Sequence, residues 1–361
     1  TQKQNYEIRK EFLIMSSKRI FDLPQMRGSF NIRGRVTGTE KNNFYSERAT
    51  KNGSVFRNVN FGVTYDNAKT VYLTEQGMPR DKVYFSKRDP QTKKNETKAV
   101  NWNERNTFDE EGFKLIGTSI GIEKVPDENG TPKNLVKTMT EFDACEYLSE
   151  HLNDDMFVNV TGSLDFSSYV NKNGEVRRKT QYMINRIYAT KAPIDFDAED
   201  FQPTNVFVQT IMFNGIEREI EDDAPTGRFI LSAYIVNYKT IEPVDFIVEN
   251  KTLANTFKKN LKPYNAIQVN GRISVKNMIE EVEVDDAWGT SNPMKRVNAP
   301  SVRELIITGA DVDSLDVETY NEKNVNAAFK AIQNSQQAES DFGGSSDWGS
   351  EAFDDSASDI W

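Results

Sequence analysis

The clearest pattern in the chain is an alternation of apolar and polar residues, which predicts β-strands. Residues 29–38 alternate strictly, with three apolar side chains on one face and Arg33 and Arg35 on the other. Comparable alternation predicts further strands over residues 55–65, 70–74, 82–87, 112–125, 135–139, 156–166 and 175–190. Residues 88–105 are polar, strongly charged and contain Trp102, so we expect a long loop there.

Two short segments have the periodicity of helices, and each precedes a strand of the same kind. Apolar residues follow Thr140, a residue type that commonly begins helices, at helical spacing, and residues 251–261 show the same spacing. Each segment leads into the pattern Val/Ile-x-Val-x-Gly-x-Leu/Ile, and a constant shift of 109 residues places Gly162 on Gly271. A glycine lets a strand bend or another backbone approach closely. The constant shift therefore predicts a duplicated unit.

The order of these elements predicts the fold class. The second copy is completed by strands predicted over residues 228–238, 244–248 and 301–310, and residues 193–203 form the expected linker. A helix just before the penultimate strand is the order found in the five-stranded oligonucleotide-binding (OB) fold. We therefore predict a mainly β chain with two OB-fold-like five-stranded barrels in tandem, each with a short helix, and a disordered acidic tail. The expected boundaries are residues 1–192 for the first barrel with an N-terminal extension, 193–330 for the second and 331–361 for the tail.

Charge divides the chain into the same three parts. The 361 residues carry a formal net charge of −10, which by itself argues against nucleic acid as a partner. Residues 1–192, however, hold 31 Lys and Arg against 25 Asp and Glu, and residues 193–330 hold 14 against 23. Residues 331–361 hold seven acids and no basic residue. We therefore expect the basic first unit, and not the acidic second unit, to attract nucleic acid.

Several functional classes are disfavoured by what the sequence lacks. With one cysteine, Cys145, and one histidine, His151, the chain has no disulfide framework and no Cys/His zinc site. Cys145 lies on the apolar stripe of the first helix and is expected in the core. No apolar run reaches 18 residues and no signal-like segment begins the chain, so we expect a cytoplasmic protein. No HExxH, GxxxxGK[ST], GxSxG or CxxC motif occurs, and we expect neither an enzyme nor a cofactor.

These features together resemble the single-stranded DNA-binding proteins of bacteria and their phages. The resemblance rests on Phe30-Asn-Ile-Arg-Gly-Arg-Val-Thr-Gly38, residues 158–164 with their repeat at 267–273, and the terminus Asp354-Asp-Ser-Ala-Ser-Asp-Ile-Trp361. It implies sequence-independent binding and protection of single-stranded DNA during replication, recombination or repair, in the host cytoplasm if phage-encoded. It also implies that the tail recruits partner proteins, through Asp354, Asp355, Asp359, Ile360 and Trp361.

The chain departs from that family in three ways. It has two barrels instead of one, a longer charged insertion at residues 88–105, and Trp361 as the last residue. The T-even phage version carries a zinc site, for which this chain lacks the Cys and His residues. The resemblance therefore implies no particular oligomeric state for this chain.

Single strands are held by cations that follow the phosphates and by aromatic rings that stack on bases. Tyr45 and Trp102 fit no core periodicity, and we expect them to be the main stacking residues. The predicted DNA-binding set contains basic and aromatic residues of the first unit. It consists of Arg33, Arg35, Phe44, Tyr45, Arg48, Lys51, Phe56, Arg57, Tyr72, Lys82, Tyr84, Lys87, Arg88, Lys93, Lys94, Trp102, Arg105, Arg177, Arg178 and Lys179.

Other interpretations fit the same sequence. Any one of these cations, taken alone, is more often an ordinary solvated residue, and only the coincidence of cations with outward aromatic residues favours binding. An OB-fold mediator or adaptor of replication or recombination, with secondary DNA binding, is the first alternative function. A nuclease that holds Mg²⁺ through carboxylates alone is the less favoured second alternative, because its ligands need no fixed spacing.

Overall fold

The structure, a computed structural model, describes residues 19–50, 53–171, 173–277 and 301–341. Within them the chain is mainly β. The strands are β1 (Gly28–Thr37), β2 (Tyr45–Ala49), β3 (Val55–Asp66), β4 (Lys69–Gly77), β5 (Lys82–Arg88), β6 (Asn95–Asn101), β7 (Lys114–Leu115), β8 (Thr118–Gly121), β9 (Lys124–Pro126), β10 (Pro132–Asn134), β11 (Lys137–Met139), β12 (Phe157–Val170), β13 (Val176–Ala189), β14 (Thr204–Glu221), β15 (Ala224–Val236), β16 (Ile241–Val248), β17 (Ala266–Asn277) and β18 (Ser301–Asp316). The helices are α1 (Glu141–His151), α2 (Lys251–Asn260) and α3 (Glu322–Asp341). None of these three helices is both long and apolar enough to cross a membrane.

The first half contains five strands that pair in the order β1, β3, β4, β13 and β12, and β12 pairs with β1 again. β1 pairs antiparallel with both β12 and β3, β3 pairs with β4, and β12 pairs with β13. β13 also meets β4 in parallel, where Met183 lies beside Thr74. The predicted helix is confirmed as α1, which begins after Thr140, whose side chain accepts the backbone N–H of Asp143, and which packs against β3 and β4.

The second half repeats this order. β14 pairs with β15 and β15 with β16, all antiparallel, while β16 pairs in parallel with β18. β18 then pairs with β17, and β17 pairs with β14. α2 precedes β17 as α1 precedes β12, as the sequence predicts. The order of strands and helix in both halves is compatible with an OB-like fold.

The glycines of the repeated pattern allow the same close approach in both halves. A Cβ at Gly162 would lie 1.9 Å from the carbonyl oxygen of Met183 and 2.7 Å from the ring of Phe30. A Cβ at Gly271 would lie 2.0 Å from the carbonyl oxygen of Ile306 and 2.8 Å from the ring of Phe207. The register shifts at both glycines, because Asn185 of β13 and Thr308 of β18 are left without a partner in this register, so each glycine faces a β-bulge of the neighbouring strand. The shift of 109 residues therefore relates two equivalent backbone positions.

The two halves are joined edge to edge by their first strands. β1 pairs antiparallel with β14, from Gly28 beside Gln209 to Arg33 beside Thr204. One continuous hydrophobic core runs through both halves. Ring contacts mark this continuity, because Phe246 lies 6.4 Å from Phe166 and also packs on a ring of β14.

The expected loop over residues 88–105 is wrong. β5 and β6 form a hairpin there, and β7 adds a third strand to the edge of β5. Val83, Phe85 and Val100 form a small separate core under this sheet. Lys93 and Lys94 lie in the hairpin turn, where the Asp89 carboxylate accepts two backbone N–H groups, whereas Arg88, Glu96 and Lys98 lie on the strands.

The predicted disordered tail begins too early. α3 continues to Asp341, so the prediction of disorder from residue 331 is wrong for residues 331–341. Val325 and Ala328 are buried, and Phe329 packs on the Tyr234 ring at 5.7 Å. These apolar residues recur at helical spacing, which anchors the helix. Residues 342–361, including all five predicted tail-binding residues, lie outside the described residues.

We expect Gly162→Ala to lower the free energy of unfolding by about 1–3 kcal/mol or more, because the added methyl group must displace a backbone carbonyl. Gly215→Ala is the matched control, since no heavy atom lies within 4 Å of its added Cβ. Urea unfolding of both variants measures the effect. Equal stability of the two variants would show that the close approach in β12 is not required.

A buried carboxyl group lies beneath α1. Glu75 of β4 is buried, its carboxyl accepts a hydrogen bond from the Thr118 hydroxyl at 3.3 Å, and its backbone carbonyl accepts one from the Cys145 thiol. Burial, and secondarily the charge of Glu141, raise the pKa of Glu75 well above its usual range. The folded protein therefore holds this proton more tightly than the unfolded chain does. The contribution of Glu75 to the free energy of unfolding is greatest below the pKa that this carboxyl has in the unfolded chain, and it falls as the pH rises toward the pKa in the folded protein.

Glu75→Gln should accordingly stabilise the protein at neutral and alkaline pH by an amount of the order of 1 kcal/mol, because the amide never has to ionise. The gain should shrink as the pH falls toward 4.5, the ordinary pKa of the group. Unfolding midpoints measured from pH 5 to pH 8 test this, with Glu128→Gln in an exposed turn as the control. A gain independent of pH would rule out ionisation of Glu75 as the cause.

Candidate nucleic-acid interface

The positions of β3 and β4 that point away from the core form one face of the sheet, which we call the sheet face. Strand register places Asn58 beside Gln76, Asn60 beside Thr74, Gly62 beside Tyr72 and Thr64 beside Thr70, with Phe56 beyond Asn58. None of these nine residues is charged. The sheet face is therefore a floor of amides and hydroxyls with one aromatic ring toward each end.

Hydrogen bonds across the strands order this floor. The Thr74 hydroxyl donates to the Asn60 side-chain oxygen at 2.9 Å, and the hydroxyls of Thr64 and Thr70 lie 2.8 Å apart. Thr64 and Thr74 are buried, whereas Asn60 and Thr70 are partly exposed. The exposed edges of these groups can donate to or accept from a polar ligand.

Each ring of the sheet face carries a cation. The Arg48 guanidinium lies 5.0 Å from the Phe56 ring centroid, across the β2–β3 pair. The Lys41 ammonium lies 5.7 Å, and the Arg303 guanidinium 5.1 Å, from the Tyr72 ring centroid. Positive charge therefore borders an uncharged floor at both rings.

Arg303 is a site residue that the sequence analysis missed. It lies on β18 in the acidic second half and reaches a ring of the first half. The Tyr65 hydroxyl of β3 donates to the backbone carbonyl of Ile273 at 3.3 Å, which joins β17, the neighbour of β18, to the first half. The Asn205 amide of β14 donates to the same carbonyl at 2.7 Å. No local pattern around residue 303 signals this contact, because it depends on how the two halves pack.

Tyr45 does not lie on the sheet face. It points to the other side of β2, where its hydroxyl donates to Glu47 at 3.0 Å. Burial and this hydrogen bond raise the pKa of Tyr45 to about 12. Arg57 binds the same carboxylate at 2.8 Å and Glu146 of α1 at 2.8 Å. Tyr45 and Arg57, both predicted to bind DNA, thus belong to a network between β2, β3 and α1.

Trp102 and Arg105 extend this network. Arg57 lies 3.9 Å over the ring of Phe142, the Trp102 ring meets Phe142 edge-on at 6.0 Å, and Arg105 lies 4.3 Å over Trp102. Arg105 donates two hydrogen bonds to Asp143, at 2.8 and 2.9 Å. Burial alone would raise the pKa of Asp143, but the hydrogen bonds from Arg105 and Thr140 outweigh it and lower the pKa. We call this alternation of cations and rings the α1 ladder, and it fixes the β5–β7 sheet to α1.

Three further predicted residues make contacts within the protein. Phe44 is 6% exposed and belongs to the core, so it is not available to a ligand. Arg178 pairs with Asp245 of the second half at 3.2 Å, and burial lowers the pKa of Lys179 to about 8. Both cations lie where the β12–β13 hairpin rests on β16.

The other predicted residues occupy separate places. Arg33 and Arg35 are exposed on β1, where Arg35 lies 3.6 Å from Asp155, and Arg177 pairs with Glu175 at 2.7 Å. Lys87 donates to the backbone carbonyl of Glu111 under the β5–β6 hairpin. The outer face and turn of that hairpin carry Lys82, Tyr84, Arg88, Lys93 and Lys94, and Lys51 lies outside the described residues.

The second half has a corresponding face, but α3 covers part of it. Leu231, Ala233 and Ile235 of β15 point into the core, so Tyr234 points outward. The Phe329 ring of α3 packs against this Tyr234 ring. A helix therefore covers part of this face in the second half.

Potential metal ligands are not clustered in the described residues. Within those ranges, no group of three or more His, Cys, Asp and Glu side chains is placed to hold a metal ion.

No curated protein matches this chain. A deletion mutant of the single-stranded DNA binding protein from Thermus aquaticus is similar in structure, with 10% identity and a TM-score of 0.39, covering 83% of this chain and 98% of that chain. For the wild-type protein from the same organism the values are 9%, 0.37, 80% and 93%. A protein-family model described as YorF matches residues 87–345, more than half of the sequence, and the chain therefore belongs to the YorF family.

Proposed function

We propose that this protein binds single-stranded DNA without sequence preference, through the sheet face of its first half. The observation that carries the proposal is the sheet face itself, which has no charged residue, a polar floor and a cation on each of its two rings. We further infer that each half is an OB-fold barrel, because both halves share one strand order and one helix position.

The chemistry of the sheet face suits an unpaired strand. The edges and flat faces of unpaired bases are exposed, so rings can stack on them at about 1–3 kcal/mol per base. Amides and hydroxyls on the floor can exchange hydrogen bonds with base edges of any type. Arg48, Lys41 and Arg303 can approach the phosphates, and no carboxylate on the floor repels them.

The position of the face in the fold supports the same ligand. β3 and β4 are the second and third strands of the inferred first barrel, and OB folds bind oligonucleotides on the face of these strands. α3 covers part of the equivalent face in the second half, where Phe329 packs on Tyr234. The first half is also the basic part of the chain. One binding face per chain is therefore the arrangement we propose.

In this role the protein coats and protects exposed strands during replication, recombination or repair. Its acidic tail recruits partner proteins. It acts by binding and not by catalysis. The tail, with its acids and apolar tip, would also compete with DNA for the cations of the first half.

Replacing the rings of the sheet face should weaken binding of oligo-dT. We expect Phe56→Ala and Tyr72→Ala each to raise the Kd by about fivefold to one hundredfold at low salt, since each removes a stacking surface. Tyr238→Ala is the control, because this ring is exposed on the second half. Wild-type binding weaker than micromolar at low salt would refute the proposed function.

The contribution of Arg303 is measured in the same titrations at several salt concentrations. We expect Arg303→Ala to reduce the slope of log K against log salt by about 0.7, the value for one lost phosphate contact with a single strand. Lys323→Ala, which removes an exposed cation from α3, should leave the slope unchanged. Equal slopes for Arg303→Ala and the wild type would remove Arg303 from the interface.

The tail is tested by ending the chain after Asp341, a truncation that preserves α3. We expect DNA binding to tighten or stay the same, because the residues removed include five acids and no base. Pull-down of replication and recombination proteins should decrease. A marked loss of DNA affinity would contradict the role given to the tail.

A further inference from the structure

The hairpin of β5 and β6 has one face that nothing covers in the described residues. Val83, Phe85 and Val100 point into the small core, so the alternate positions point away from it. These outward residues, which we call the ribbon face, are Lys82, Tyr84, Ser86 and Arg88 on β5 and Asn95, Thr97, Ala99 and Asn101 on β6. All of them except Ser86 are exposed.

Charge on this hairpin is sorted by position. The ribbon face carries two cations, Lys82 and Arg88, and no carboxylate. Glu96 points to the opposite face, beside Lys87, and Glu110 forms an ion pair with Lys98 on that same side. The ribbon face is thus electropositive, although its surroundings contain acids.

The turn of the hairpin continues this charge. Lys93 and Lys94 are exposed there, next to the ribbon face. The acid of this turn, Asp89, accepts the backbone N–H groups of Gln91 and Thr92, and these hydrogen bonds lower its pKa. Asp89 therefore serves to shape the turn.

The Tyr84 ring is available on this face. Half of the residue is exposed, and its cross-strand neighbour is Ala99, which is too small to cover the ring. Among the described residues, no other ring and no cation packs on it. An exposed tyrosine between two cations on one face of a hairpin has the composition of a single-strand contact.

The ribbon is held close to one end of the sheet face. Gln76 ends the sheet face on β4, and only four residues separate Gly77 from Lys82, a chain length of at most about 18 Å. The backbone N–H of Trp102 donates to the carbonyl of Asp81 at 3.0 Å, which ties the base of the ribbon to the α1 ladder. The ribbon face is therefore a fixed extension of the first half.

We propose that the ribbon face binds the same DNA strand after it leaves the sheet face, as a second contact that lengthens the occluded site. This inference rests on the proposed function. Tyr84 stacks on a base, while Lys82 and Arg88 neutralise phosphates on either side of it.

The test compares wild type with the triple variant Lys82→Ala, Tyr84→Ala, Arg88→Ala on oligo-dT of increasing length, from about 6 to about 30 nucleotides, a range that spans the site sizes of single OB folds. We expect the affinities to agree for the shortest oligonucleotides. For the longest we expect the variant to bind about tenfold more weakly or worse, because one stacked base and two phosphate contacts are lost.

The matched control is Lys124→Ala with Lys133→Ala, which removes two exposed cations from the β9–β10 hairpin of the same insertion. It should bind like the wild type at every length. As a readout independent of affinity, the fluorescence of Tyr84→Trp should change on binding long oligo-dT and not on binding short oligo-dT.

The outcomes separate the two proposals. If the wild type binds no oligo-dT, the proposed function fails. If the wild type binds and the triple variant matches it at every length, the ribbon face is not a DNA contact and only this inference is overturned. An equal loss at every length would also overturn it, because the ribbon would then belong to the primary site.

Discussion

The antiparallel pairing of β1 with β14 is the constraint on which the rest of the architecture depends. Each of these strands is the first of its half and is hydrogen-bonded on both edges, β1 to β12 and β14, and β14 to β1 and β17. This pairing lets one core run through both halves. It also sets where β17 and β18 lie, and so brings Arg303 to the Tyr72 ring. A basic residue of the acidic half thus reaches the sheet face through backbone pairing far from it.

Sequence pattern predicts those elements whose inward residues are all apolar. α1 and α2 follow from helical spacing, and Gly162 and Gly271 follow from their shared context. The pattern of apolar and polar residues does not predict β14, a strand of 18 residues, because two of its inward positions are polar. Asn205 donates to a carbonyl of β17, and Gln209 donates to the backbone of Thr210. These buried polar groups interrupt the alternation that would have revealed the strand.

The candidate site was predictable only in part, for a related reason. Alternation along β3 and β4 correctly places Phe56 and Tyr72 outward. Tyr45 and Trp102 lack any core periodicity, yet Tyr45 packs against the core and the Trp102 ring contacts Phe142 of α1. A single sequence shows that a residue does not fit the periodicity of a helix or strand that faces the core. It does not show which distant residue contacts that side chain. The α1 ladder joins residues from positions 57 to 143 and has no local signature.

The pairing of β1 with β14 also affects how such a chain can change during evolution. Two separate barrels could be recombined, permuted or lost as modules, because no strand of one would complete the other. Here a substitution that disrupts the pairing of β14 with β1 affects both halves, so neither half can change or be exchanged independently. New sequence is tolerated where no shared pairing is broken, as between β4 and α1, where the β5–β7 sheet is inserted. The two halves therefore form a single unit, in which the segment between β4 and α1 has the most freedom to vary.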